Sequence, residues 1–117
     1  MAVELKTDLG KITMPEEIIA SIAGYAAGEN YGIAGMGAKK GSESIMELIK
    51  KDNLRRGITV KSVGPGEVDI DLYVMLVYGV SLPAVAQNAR DNVRFRVQEY
   101  TGISVRNINI FVEGIRV

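Results

Sequence analysis

A chain of 117 residues with 47% hydrophobic and 24% charged residues has the size and composition of a single globular domain spanning 1–117. Its 14 basic and 14 acidic residues cancel, so no overall field draws it to nucleic acid or anionic lipid. It has no Cys and no His, which excludes a thiol nucleophile, an imidazole base and a Cys/His zinc site. We therefore expect a protein that is not an enzyme and holds no cofactor. With no apolar run of about 20 residues and no secretory signal, we also expect a cytoplasmic protein without direct transmembrane insertion.

The N-terminal part predicts two short strands and a helix. The extended segments lie at about residues 3–5 and 10–13. Thr13 and Glu16 have the spacing of a capping box, and Pro15 fits the first turn, so we expect the helix to start there. An apolar stripe at helical spacing continues it, formed by Ile18, Ile19, Ile22, Ala23, Ala26 and Ala27.

The middle of the chain is less regular. Residues 33–36 favour a short strand, and a glycine- and lysine-rich loop occupies 35–42. Ser42 fits the N-cap of a short helix that ends near Lys51. A further strand is expected over 58–63.

The longest predicted strand begins at Glu67, where apolar and polar residues alternate for ten positions. A turn at 64–66 brings the preceding strand back against it. In this hairpin the apolar side chains meet on one face and unlike charges meet on the other, in the same register. The expected partners are Ile58 with Leu72, Thr59 with Asp71, Val60 with Ile70, and Lys61 with Asp69.

A long amphipathic helix follows Gly79. Ser81 is its expected N-cap, Pro83 fits the first turn, and Gly102 is suited to the position just past its end. The apolar stripe of this helix consists of Leu82, Val85, Ala86, Ala89, Val93, Val97 and Tyr100.

The last strand is predicted from Ile103 to about Val112. Val105 is out of phase with the alternating residues after it, so a bulge is expected near Arg106 and Asn107. The element order is then β-α-β-α-β-β-α-β. It predicts an α+β fold: a single-domain two-layer sandwich with a mixed, mostly antiparallel sheet, two long helices on one side and one short helix.

The glycine-rich loop has part of a phosphate-binding pattern. Gly35, Gly37 and Gly41 are spaced one residue wider than the dinucleotide fingerprint, and no lysine stands between Gly41 and Ser42 as a P-loop requires. A flexible loop with a cationic tip is the preferred interpretation, and an anion site is the alternative.

Three carboxylates line one face of the central strand. Glu67, Asp69 and Asp71 are spaced by two residues and could offer oxygen ligands to a divalent cation. A cation site usually draws its ligands from several segments. We therefore favour a solvated sheet face with cross-strand pairing, such as Lys61 with Asp69.

Basic residues suggest a different function. Residues 39–61 contain seven basic and three acidic side chains, and the long helix adds further arginines. As a small KH-like nucleic-acid-binding module, the chain would contact phosphates through Lys39, Lys40, Arg55, Arg56, Arg90 and Arg94. No row of exposed aromatic residues for base stacking is evident, so an ordinary solvated face is preferred.

Tyr73, Met75 and Val77 are the candidate interface. They occupy the face of the central strand opposite its buried side chains, and an exposed apolar patch usually marks a contact surface. The alternative is that another element of the chain covers this face. The patch points to self-association or to a protein partner.

Short segments throughout the chain carry a family resemblance. They are Gly10-Lys11-Ile12, Glu17-Ile18-Ile19-Ala20, Ile22-Ala23-Gly24, Tyr31-Gly32-Ile33-Ala34-Gly35-Met36, Arg56-Gly57-Ile58-Thr59-Val60, Asp69-Ile70-Asp71-Leu72-Tyr73-Val74, Val77-Tyr78-Gly79, Thr101-Gly102-Ile103 and Val105-Arg106-Asn107-Ile108-Asn109-Ile110. As an ordered set they resemble the alkaline shock protein family of Gram-positive bacteria, also called the envelope stress response family, and within it the small YloU-like branch.

The resemblance implies a small, abundant, cytoplasmic and non-enzymatic protein. Some members of the family are held at the membrane by a separate anchor protein and self-assemble there. The YloU-like branch is often encoded beside a dihydroxyacetone-kinase-like fatty acid kinase. The implied partners are therefore further copies of the chain, a membrane-anchor protein, or a protein of the fatty-acid-kinase type. No catalytic residues are established in the family, so none are implied here.

The leading hypothesis is a non-enzymatic protein of envelope stress response or cell-envelope homeostasis. It would act through self-association and protein contacts at the cytoplasmic face of the membrane, where a partner holds it peripherally. The alternative is the nucleic-acid-binding module described above.

Overall fold

The computed structural model describes residues 2–36 and 57–117 of the chain. Its elements are β1 (Ala2–Thr7), β2 (Gly10–Pro15), α1 (Glu16–Gly28), β3 (Ile33–Met36), β4 (Ile58–Gly64), β5 (Glu67–Val77), α2 (Leu82–Thr101) and β6 (Ser104–Arg116). The predicted α+β class with mixed, mostly antiparallel strands is confirmed. The predicted short helix lies outside the described residues, as does the glycine-rich loop beyond Met36.

Strand β5 is the centre of the main sheet because both of its edges are paired. β6 runs parallel along one edge for the full length of β5, from Glu67 opposite Ser104 to Val77 opposite Arg116. The other edge is shared end to end, since β4 pairs antiparallel with residues 67–72 and β3 with residues 74–76. Strands β1 and β2 form a separate two-stranded hairpin.

The β4–β5 hairpin has the predicted register at all four positions. Ile58 lies opposite Leu72, Thr59 opposite Asp71, Val60 opposite Ile70 and Lys61 opposite Asp69. Slipping the pairing by one residue would turn the apolar set to the wrong face, so alternation alone was enough to define it.

The core lies between β5 and the two helices. The inward side chains of β5 are at most 2% exposed: Val68, Ile70, Leu72, Val74 and Leu76. From the helices, buried residues pack against them: Ile19, Ala20, Ala23, Ala26 and Ala27 on α1, and Val85, Ala89, Val93 and Val97 on α2. The alanines of α1 allow a close helix pair, in which Asn92 Nδ2 donates to the Ala26 carbonyl at 3.0 Å. A salt bridge of 3.0 Å joins Arg96 to Glu29 beside it.

The two helix starts differ in how well they were predicted. At α2 the Ser81 side chain accepts from the Ala84 N–H, and Gly102 ends the helix at φ 76°, both as expected. At α1 the capping box between Thr13 and Glu16 is wrong. Thr13 is paired in β2, opposite Glu4, and the helix starts after an extended Pro15 without a side-chain cap. Strand pairing and the following proline hold residues 13–14 in an extended conformation, away from a cap.

The β1–β2 hairpin closes one end of the core. Val3 is 1% exposed, and Leu5 lies against the turn glycines, so that a Cβ added at Gly102 would stand 3.0 Å from Leu5 Cδ2. The far end of the hairpin projects, with Leu9 99% exposed. Among the described residues, no helix combines the length and the apolar character that crossing a membrane requires.

Candidate interaction surface on the outer face of the sheet

The face of the main sheet opposite the helices is here called the outer face. On β5 it carries Glu67, Asp69, Asp71, Tyr73, Met75 and Val77, the alternate set to the core residues. Because β6 is parallel and in register, its side chains on this face stand beside those of β5: Asn107 beside Asp69, Asn109 beside Asp71, and Phe111 beside Tyr73. The outer face is therefore polar at one end and aromatic at the other.

The aromatic end is built on a ring stack. Tyr73 and Phe111 have ring centroids 4.8 Å apart and planes inclined by 17°. Such a pair contributes about 0.5–1.5 kcal/mol beyond simple burial, so the two rings hold each other in place. Phe111 is nevertheless 44% exposed. Sequence reasoning did not select Phe111, because its position beside Tyr73 depends on a pairing between strands 38 residues apart.

Met75 and Val77 extend this surface toward the end of β5. An extra residue in β6 at Glu113 brings Gly114 opposite Met75. A Cβ at Gly114 would lie 2.8 Å from Met75 Cε, so the methionine side chain lies over a position that only glycine leaves free. Val77 is 42% exposed. Tyr73, Met75, Val77 and Phe111 are called the aromatic patch below; their role as an interface stays a prediction.

The polar end is organised around Asp69. Arg106 donates to both carboxylate oxygens, with Nε to Oδ1 at 3.3 Å and a terminal nitrogen to Oδ2 at 3.0 Å, and the Asn107 N–H donates to Oδ1 at 3.1 Å. The hydrogen bond from Arg106, with support from the Arg106 charge and from Asn107, lowers the pKa of Asp69. Lys61 stands opposite Asp69 as expected, but the ion pair comes from Arg106. Arg106 is the extra residue of the predicted bulge, which turns its side chain onto this face.

The same pattern repeats at Asp71, whose Oδ1 accepts from Asn109 Nδ2 at 3.0 Å. Two of the three carboxylates proposed as cation ligands are therefore paired with donors from β6. In residues 2–36 and 57–117, no group of three or more potential metal ligands comes together. The carboxylates hold β6 in register beside β5.

The basic residues of the alternative hypothesis are only partly described. Lys39, Lys40, Arg55 and Arg56 lie outside the described residues. On α2, Arg90 donates to Gln87 Oε1 at 3.0 Å, and Arg94 Nε donates to the Val105 carbonyl at 3.4 Å. Both arginines are half-buried, and Arg94 ties the helix to β6. The structure gives these two side chains roles within the fold.

At the other side of the molecule, Tyr25 closes the helix pair. Its pKa is raised, mainly because its hydroxyl hydrogen-bonds to the Glu29 carboxylate, and the negative charge of Glu29 adds to the effect. Because Glu29 also pairs with Arg96, this cluster belongs to the contact between α1 and α2.

Solved structures with a similar fold are two single-substitution variants of the MamM CTD. One matches with a TM-score of 0.50 and 14% identity, over 85% of this chain and 96% of that chain. The other matches with a TM-score of 0.51 and 13% identity, over 86% and 98%. At this level of identity the likeness shows the fold alone.

Sequence relatives match over the whole chain. The uncharacterized protein YloU of Bacillus subtilis is 37% identical over 100% of this chain and 98% of its own length. Spy1614 of Streptococcus pyogenes is 30% identical over 100% and 97%, and YqhY of Bacillus subtilis is 36% identical over 94% and 80%. The family model of alkaline shock protein 23, described by a cell envelope-related function, matches residues 4–117. The chain therefore belongs to the alkaline shock protein 23 family, in the company of YloU, as its sequence segments predicted.

Proposed function

We propose that residues 1–117 form one alkaline-shock-protein-like domain that serves cell-envelope homeostasis without catalysing a reaction. It acts through self-association and protein contacts at the cytoplasmic face of the membrane. The observation that carries this proposal is the aromatic patch, an uncharged surface on the side of the sheet away from the helices. The family's cell envelope-related function supports the location.

The composition of the patch suits a protein contact. Aromatic residues and methionine are enriched at the centres of interfaces, where charged residues are depleted. The stack of Tyr73 on Phe111 fixes two rings in advance, so little side-chain entropy is lost when a partner binds. Met75 has a flexible side chain that adapts to the surface opposite it. Asp69 and Asp71 supply a polar rim at one end of the patch.

The titratable groups support a non-catalytic role. The lowered pKa of Asp69 is explained by its own Arg106 and Asn107, which occupy both carboxylate oxygens. The raised pKa of Tyr25 is explained by Glu29 at the helix contact. Perturbed groups at an active site stand free in a cleft, ready for a substrate, whereas both of these are engaged within the fold.

The direct test is Tyr73→Glu, which places a charge in the middle of the patch. We expect the wild-type protein to associate in sedimentation velocity and the variant to shift toward monomer. Tyr100→Glu is the matched control, because Tyr100 is 67% exposed on α2 and receives the same chemical change. Both variants should unfold at urea concentrations near that of the wild type. An unchanged oligomer size in Tyr73→Glu would overturn this placement of the interface.

The envelope part of the proposal needs the protein in its cells. After gentle lysis, we expect it to sediment with membranes or as a large species whether or not nuclease is added. The partner that holds it there is proposed to be a membrane-anchor protein or a fatty-acid-kinase-type protein. A collapse of its size on nuclease treatment would instead favour the nucleic-acid module, and phosphate binding should then weaken steeply with added salt.

A further inference from the structure

The second edge of β6 is the feature that the aromatic patch leaves unexplained. β6 is 13 residues long and pairs with β5 on one side; no residue in the described ranges pairs with its other side, the outer edge. A row of unpaired N–H and C=O groups is a template for another strand. Natural proteins usually blunt such edges with charges, prolines, bulges or a covering element.

The fold closes this outer edge only at its beginning. The Val105 N–H donates to Gln98 Oε1 at 3.1 Å, and the Val105 carbonyl accepts from Arg94 Nε at 3.4 Å. Helix α2 thus satisfies both groups of Val105. Beyond the bulge the Asn107 N–H turns toward Asp69 on β5. Since backbone groups alternate between the two edges, those of residues 108, 110 and 112 point outward.

The segment after the bulge is suited to pairing. Residues 107–112 read Asn-Ile-Asn-Ile-Phe-Val, without charge, proline or glycine. Its end is apolar on both faces of the sheet: Phe111 on the outer face and Val112 on the helix side are each 44% exposed, and Ile115 is 49% exposed. A partner lying flat on one face would cover only one of these sets. A strand added at the edge contacts both.

The flanking charges select the partner and its direction. Arg106 precedes the segment and Glu113 follows it. Two copies in antiparallel orientation bring Arg106 of each near Glu113 of the other, at both ends, whereas parallel copies would oppose like charges. We propose that the outer edge of β6 pairs antiparallel with the same edge of a second copy over residues 107–112, about a two-fold axis near Ile110.

This inference rests on the proposed self-association and specifies how it occurs. The pairing joins two sheets into one, and it places the aromatic patches of both copies on the same face of that sheet. Tyr73 lies one strand away from the new contact, so the patch remains available to a further partner. Six paired residues make a small interface, so we expect a weak dimer that depends on protein concentration.

Single cysteines test the pairing directly, because the chain has none of its own. The variants are Asn109→Cys, Ile110→Cys and Phe111→Cys, with Ile115→Cys as control on the same strand. Around an axis near Ile110, residue 110 faces its own copy, and opposed Cβ atoms in such pairs are about 4.5–5.5 Å apart. Residue 115 would be about 30 Å from its copy at a rise of roughly 3.3 Å per residue. Mild oxidation should give a disulfide-linked dimer at one of residues 109–111 and none at 115.

A second pair of variants removes the edge without touching the aromatic patch. Val112→Lys introduces the charge that commonly blunts edge strands, and Val117→Lys places the same charge past the end of β6. We expect the first to abolish the crosslink in an Ile110→Cys background and the second to keep it. A wild-type dimer that crosslinks at none of residues 109–111 would overturn the edge pairing and leave the proposed self-association intact. A wild-type monomer at every concentration would overturn both, as would an edge that captures only a strand from another protein.

Discussion

Gly32 connects the end of α1 with both helix α2 and strand β5. Its φ is +92°, and its carbonyl accepts from the Val77 N–H at 2.9 Å. A Cβ built on Gly32 would lie 2.5 Å from Cγ2 of Val85, which is itself only 4% exposed. The substitution Gly32→Ala therefore meets two separate penalties, one in the backbone and one in the packing.

Each penalty has a known size. Holding an L-residue in the left-handed region costs about 1–2 kcal/mol. Forcing a methyl group into a packed core costs about 1–3 kcal/mol. We therefore expect Gly32→Ala to lower the free energy of unfolding by about 2–5 kcal/mol. Gly79→Ala is the matched control, because Gly79 has φ +95° but no heavy atom within 4 Å of its added Cβ, so only the backbone penalty applies.

A double-mutant cycle with Val85→Ala separates the two terms. Val85→Ala alone should cost about 2 kcal/mol, from two methyl groups at roughly 0.8 kcal/mol each and the cavity they leave. In the double variant the clash disappears, so the double should cost about 1–3 kcal/mol less than the sum of the singles. Urea unfolding followed by circular dichroism measures all four states. Additivity within about 0.5 kcal/mol, or equal losses at Gly32 and Gly79, would refute the clash.

Three further predictions concern the helix cap, the core and the Asp69 pair. Ser81→Ala should lose about 1 kcal/mol of unfolding free energy in urea and Ser81→Asp should not, because only a capping side chain satisfies the first turn; equal losses would contradict this cap. Leu72→Ala, at a fully buried position, should cost about 2–5 kcal/mol, while Leu82→Ala, at a 44% exposed one, should stay within about 0.5 kcal/mol of wild type. Because the pKa of Asp69 is lowered in the folded state, its contribution is present above the ordinary value of 3.8 and is lost as pH falls through the folded-state pKa. Acid titrations of stability should therefore be shallower in Arg106→Ala below pH 3.8, and an unchanged slope would exclude this pair as a cause.

Local patterns in this sequence were sufficient for most elements. Alternation from Glu67 onward identified β5 and its buried face, and the meeting of unlike charges with apolar pairs set the β4–β5 register. Ser81 and Gly102 marked the ends of α2, because capping depends on residues within one turn. The same reasoning was wrong at Thr13, where pairing with Glu4 in β1 prevailed over a local capping signal.

The candidate surface was only half visible in the sequence. The parity of β5 placed Tyr73, Met75 and Val77 opposite the core, and the structure agrees. Phe111 joins them only through the parallel pairing of β6, and Arg106 displaces Lys61 as the ionic partner of Asp69 for the same reason. The bulge near Arg106 was predictable from the phase of Val105, whereas the second one, at Glu113, had no such signal.

The sequence by itself determined the elements, their buried faces, the one tight hairpin and the family. These follow from periodicity, caps and short turns, where the interacting residues are neighbours along the chain. Tertiary structure alone decided that β6 lies parallel along the whole of β5 with a free outer edge. The choice of a neighbour for β6 depends on how α2 packs across the sheet and returns the chain, a matter of contacts between residues about 40 positions apart that no local pattern encodes.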